Sequence, residues 1–199
     1  MGFDLYGLNP VNPDNLVRPT IDWSKKNSKE TEKKYFAAVE TYEDAVTGSY
    51  FRNNVWFWRP LWQFVCASCD NVLTEKDMDR GSFNDGHKIS KTKALRIASK
   101  LEKLLKLGIP EEMEKVSRER AEKAAKHNAK VREEMDKVTD ACEKEHGENI
   151  VPADFPEPYK SQWDKAYAKR DWGSDYPFVA DNVKHFAEFC KTSGGFEIC

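Results

Sequence analysis

The segment from Tyr50 to Phe64, YFRNNVWFWRPLWQF, constrains this chain more than any other. Residues 50–62 hold Trp56, Trp58 and Trp62, half of the six tryptophans, beside Arg52, Arg59 and the pair Asn53 and Asn54. Each buried aromatic ring removes roughly 150–250 Å² from water. A run this dense therefore needs a core to receive it, and the chain has the means, with 11 Phe, 7 Tyr and 6 Trp. Disorder throughout is not expected of such a composition.

The same segment carries chemistry. Trp faces stack on planar rings, Arg grips phosphate or carboxylate with paired hydrogen bonds, and Asn offers both donor and acceptor. Arg52, Asn53, Asn54, Trp56, Trp58, Arg59 and Trp62 are thus candidate ligand-binding residues. Core packing explains them equally well, with the arginines paired to carboxylates and Asn53 or Asn54 capping a helix. A mixed role is the expectation: a core wall whose polar members look into a pocket.

Around this segment the pattern is mostly helical. Gly2–Gly7 and Gly194–Cys199 alternate apolar and polar side chains, which predicts two short strands in one small sheet. Residues 9–28 hold three prolines and read as an irregular loop. Helices are expected over 29–46, with Tyr35, Phe36, Val39, Tyr42 and Val46 at helical spacing, and over about 60–69, with Pro60 at the first helical position. Residues 74–79 read as a short turn or helix with Thr74 as its cap, and 81–89 as a loop around Asn84-Asp85-Gly86. Ser90 caps a helix with Leu95, Ala98, Leu101 and Leu105 facing inward, and Gly108 stops it.

Residues 109–145 predict the longest helix, with 11 acidic and 9 basic residues between Glu111 and Glu145. Ala121, Asn128, Met135 and Cys142 repeat every seven positions, as do Ala124, Val131 and Val138, giving a narrow seam suited to an antiparallel arm or a dimer contact. Another helix is expected around Tyr159, Trp163 and Tyr167. A last one has Asp181 as its cap and Val183, Phe186, Phe189 and Cys190 inward. The fold class is thus mainly α (α+β): residues 1–108 and 151–199 form one aromatic-cored domain, and 109–150 a charged helical arm.

Composition bounds the function. With 32 basic and 34 acidic residues the net charge is −2, and no basic stripe is visible, so a nucleic-acid partner is not expected. Met1–Tyr6 has no basic start and no apolar run, and Tyr6 argues against myristoylation at Gly2. No eighteen consecutive apolar residues occur, and the five cysteines read as reduced thiols, so a cytoplasmic protein is expected. Glycine-rich phosphate loops, HExxH and GxSxG are absent from the sequence, and no cofactor is called for.

Two further groups are candidates. Asn84, Asp85, His87 and Lys88, with Tyr176, would supply a second pocket wall, and an anion could rest on the helix start that follows. Cys66 and Cys69 form a CxxC that with Cys142 and His146 would make four zinc ligands, at a spacing unlike any compact ribbon.

Gly2–Gly7 and Tyr50–Trp62, with Asn84-Asp85-Gly86, Tyr176-Pro177-Phe178, Asn182-Val183, Phe186–Phe189 and Ser193–Phe196, resemble an uncharacterised family of bacteriophage and bacterial genomes. The resemblance spans both ends and the centre, and skips 12–48 and the charged arm. Some members of that family carry a CxxC-type ribbon at the arm. Cys142–Gly147 looks like a degraded version of it, with Glu145 where a second cysteine would stand. A phage setting implies an accessory protein in the host cytoplasm that sequesters a host immune signalling nucleotide. Two alternatives stand beside it: an assembly module acting, as a homo-oligomer or on a partner, through the arm, and a phosphoester hydrolase using His87 and Asp85.

Overall fold

The computed structural model describes residues 2–199; Met1, on which the N-terminal reading opens, lies outside them. Along the chain come β1 (Gly2–Gly7), α1 (Lys29–Ala45), β2 (Tyr50–Asn54), α2 (Val55–Ser68), α3 (Glu75–Arg80), β3 (His87–Ser90), α4 (Lys91–Lys106), α5 (Ile109–His146), α6 (Tyr159–Tyr167), α7 (Ala180–Thr192) and β4 (Gly195–Ile198). The class is mainly α with one small antiparallel sheet, as expected. Met1–Met113 with Phe178–Cys199 make one compact unit, and Glu114–Pro177 a second.

In the first unit the sheet order is β2-β1-β4-β3, all neighbours antiparallel. The two predicted end strands do pair, Leu5 opposite Ile198 and Gly7 opposite Phe196, and they form the middle of the sheet. Period-two alternation decides its faces. Phe3, Leu5, Ile89, Phe196 and Ile198 are buried on the inner face under α2, α4 and α7. Asp4, Tyr6, Tyr50, Arg52, Lys88 and Glu197 take the outer face, where Arg52 pairs with Asp4 and Lys88 with Glu197. This is a two-layer sandwich of helices on one side of a half-wet sheet.

Four local expectations need correction. The second helix starts at Val55, not Pro60, because the Asn54 side chain accepts hydrogen bonds from the Trp56 and Phe57 amides and caps it there. Pro60 consequently sits inside the helix, as its sixth residue. Residues 87–90 are not loop but edge strand β3, with Ile89 opposite Phe196, because His87 and Ile89 both point inward beneath the turn chemistry of Asn84–Gly86. The buried face of α4 is Ala94, Ile97, Ala98 and Leu101, while Leu95 is exposed. Finally, α7 opens at Ala180 with Val179 as an uncapped start, so Asp181 lies in the first turn.

In the second unit, the chain leaving α5 returns alongside it. His146 meets the Tyr159 ring at one end, and Asn128 exchanges hydrogen bonds with the Asp171 backbone farther back along α5. The pairing is therefore antiparallel. Ala124, Val131 and Cys142 of the heptad seam are buried within this unit. Trp163 stacks on Tyr167, and Arg170 lies 4.2 Å over the Trp172 ring.

Candidate functional site

The aromatic segment divides itself between core and surface by helical period. From Asn54 onward, positions 58, 61, 62 and 65 turn inward, and 56, 59 and 63 turn outward. Trp58 stacks between Phe3 and Trp62, with ring centroids 5.3 Å apart on each side. Both indoles satisfy their N–H groups on backbone carbonyls, Trp58 on Gly81 at 2.9 Å and Trp62 on Met78 at 3.0 Å. Those two carbonyls belong to the end of α3 and the residue after it, so the tryptophans fix where the following turn runs. Gly81 lies flat on the Trp62 ring, where a Cβ would come within 2.1 Å of it. Only a residue without a side chain lets the turn approach so closely.

This close approach builds a hollow. Trp58, Arg59, Trp62, Gln63, Ser82 and Phe83 line a surface depression of about 340 Å³. The indoles make its floor. Arg59 and Gln63, one helical turn apart, make one rim, and Ser82 with the half-exposed Phe83 makes the other. Trp56, 43 % exposed, stands on the same face of α2 as Arg59 and Gln63. Trp58, Arg59 and Trp62, three of the expected residues, thus share one opening with Ser82 and Phe83, while Asn84, Asp85, His87 and Lys88 do not line it. Gln63, Ser82 and Phe83 were not among the expected ligand-binding residues. The four-residue step from Arg59 signalled Gln63, Phe83 had only its place beside Asn84-Asp85-Gly86, and Ser82 had no signal.

The other candidates lie elsewhere. Arg52 is an exposed residue on the outer sheet face, 3.5 Å from Asp4. Asn53 is buried and donates to the Asn182 side chain at 3.0 Å, and Asn54 is the α2 cap. Asn84 reaches the Gly2 carbonyl, Asp85 pairs with Arg80, and Lys88 pairs with Glu197. Tyr176 belongs to the second unit. Cys66 and Cys69 sit at the end of α2, where burial pushes each thiol up to about 11. Cys142 and His146 belong to the second unit. Among the described residues no three His, Cys, Asp or Glu side chains converge as a metal site.

His87 has a partner, but it is Asp77 and not Asp85. Asp77 is buried at 4 % exposure, and its carboxylate takes hydrogen bonds from the Thr74 amide at 2.8 Å, the Thr74 hydroxyl at 2.6 Å and Lys93, with His87 Nε2 at 3.0 Å. Burial alone would push this carboxyl up. The bonds from Lys93, Thr74 and His87 outweigh burial and hold it well below the ordinary carboxylate range. The cluster ties α3, β3 and α4 together. Thr74 and Asp77 form a capping box, a spacing that the sequence displays, but His87 comes from a strand that the turn signals concealed and Lys93 from the helix after it.

On the outer sheet face, burial and the hydrogen bond that Tyr50 donates to Asp4 hold the Tyr50 phenol above its ordinary value. Arg18 lies 4.8 Å over the Tyr6 ring and pairs with Glu43 at 3.1 Å, which fastens the 9–28 loop and α1 to that face.

No family model, curated protein or solved structure matches this chain. No helix among the described residues is long and apolar enough to cross a membrane.

Proposed function

We propose that the hollow on α2 binds a small nucleotide-like ligand and holds it without turnover, as sequestration of a host signalling nucleotide requires. The observation that carries this reading is the lining itself: a rigid indole floor, an exposed Phe83 ring, and Arg59, Gln63 and Ser82 around one opening of nucleotide size. A base would stack on Phe83, the Arg59 guanidinium would take a phosphate, and Gln63 and Ser82 would read polar edges. The lining contains no carboxylate and no imidazole, so it offers a bound phosphoester no general acid or base.

Titration calorimetry against cyclic dinucleotides, cyclic trinucleotides and ADP-ribose derivatives tests the proposal. Saturable heat is expected with at least one of them. Arg59→Ala and Phe83→Ala should each weaken binding by about tenfold or more, which corresponds to the ~1.4 kcal/mol of one good contact. Phe83 is half-exposed at the rim, so the melting temperature of Phe83→Ala should not move. No heat with any compound, or chromatographic evidence that the ligand is cleaved, would overturn it.

A further inference from the structure

We infer that α1 is a homodimer contact, in which two copies of this chain pack their α1 helices antiparallel across a two-fold axis. The helix is 17 residues long, and none of its residues is buried in its own chain. Its solvent side carries Lys33 and Lys34 in the first half and Glu40 and Asp44 in the second, with the half-exposed Phe36 between them. Trp23, also more than half exposed, leans on Phe36 with ring centroids 6.1 Å apart. Exposed aromatic surface of this kind marks a contact region.

The charges select the occupant. The macrodipole of a helix favours cations at its C-terminal end. Here the last turn has no basic residue, and the second half carries Glu40, Glu43 and Asp44 instead. Glu43 is met by Arg18, while among the described residues Glu40 and Asp44 meet no cation. Lys34 pairs with Glu30, in an exposed contact that is easily exchanged. An arrangement that works against the isolated helix becomes favourable when a second α1 lies antiparallel, because Lys33 and Lys34 of each copy then face Glu40 and Asp44 of the other. Two-fold symmetry makes that match occur twice. A parallel pair would set like charge on like. By contrast, the seam of the charged arm buries Ala124, Val131 and Cys142 within its own unit.

Sedimentation equilibrium of the full chain over a micromolar concentration series tests this. Mass should rise from the 23.0 kDa subunit toward twice that value. K33E/K34E and E40K/D44K should each remain monomeric, with association weakened by about tenfold or more. A mixture of the two variants should dimerise again, because one face is then wholly acidic and the other wholly basic. That rescue separates lost pairing from misfolding. A wild-type monomer throughout the series, a dimer untouched by either reversal, or a mixture that fails to associate would each overturn the inference.

Discussion

The side chain with the most at stake is Asp77. It is almost wholly removed from water and serves Thr74, His87 and Lys93 at once. Because its folded pKa lies below the unfolded one, its stabilisation is fully present above the ordinary carboxylate range. It is lost as pH falls through that range toward the depressed folded value. Asp77→Ala strands Lys93 and His87 and should cost about 3 kcal/mol at neutral pH. In denaturant titrations at pH 7 and at pH 3, the wild type should lose stability on acidification by more than the variant does. Equal losses would mean that the cluster contributes nothing through ionisation. The sequence showed Thr74 as a cap but not the importance of Asp77, because the partners His87 and Lys93 converge only once β3 and α4 are placed.

Among elements, α2 separates adjacent asparagines most clearly. Asn54 caps the helix and is exposed, whereas Asn53 is buried against Asn182. Asn54→Ser should retain the cap, and Asn54→Ala should lower stability by about 1 kcal/mol. Thermal melts of both variants decide it; equal melts would deny the cap its role. Much of this level was legible beforehand. The end strands, the long helix and α1 announced themselves through alternation or period. What escaped were boundaries set by single side-chain contacts. Pro60 looked like a helix start because proline is favoured there, yet the Asn54 cap six residues earlier won. The strand β3 was hidden because its four residues directly follow a strong turn. The hollow escaped for a different reason: it depends on the approach of Gly81 to Trp62, a contact between residues distant in sequence.

At the scale of the whole molecule, one strand organises the first unit. β1 is hydrogen-bonded on both sides, to β2 and to β4, and its Phe3 and Leu5 enter the core beneath Trp58. Leu5 is fully buried, and Leu5→Asp places an unpaired charge there, at a cost large against the stability of any single domain. Far-ultraviolet and near-ultraviolet circular dichroism should show the variant without the fixed aromatic environment of the native core; an unchanged near-ultraviolet spectrum would contradict this account of the sheet.

The pairing of Leu5 with Ile198 also sets an order of events on the ribosome. β1 emerges early and waits through the synthesis of α1 to α7 before the strand that fills its second edge exists. Until then its apolar face and the tryptophans of α2 have an incomplete roof, while the second unit, whose residues are contiguous, has all its parts once Pro177 has emerged. Contacts so distant along the chain slow folding, and a nascent chain that leaves aromatic surface open for that interval is one that chaperones would meet.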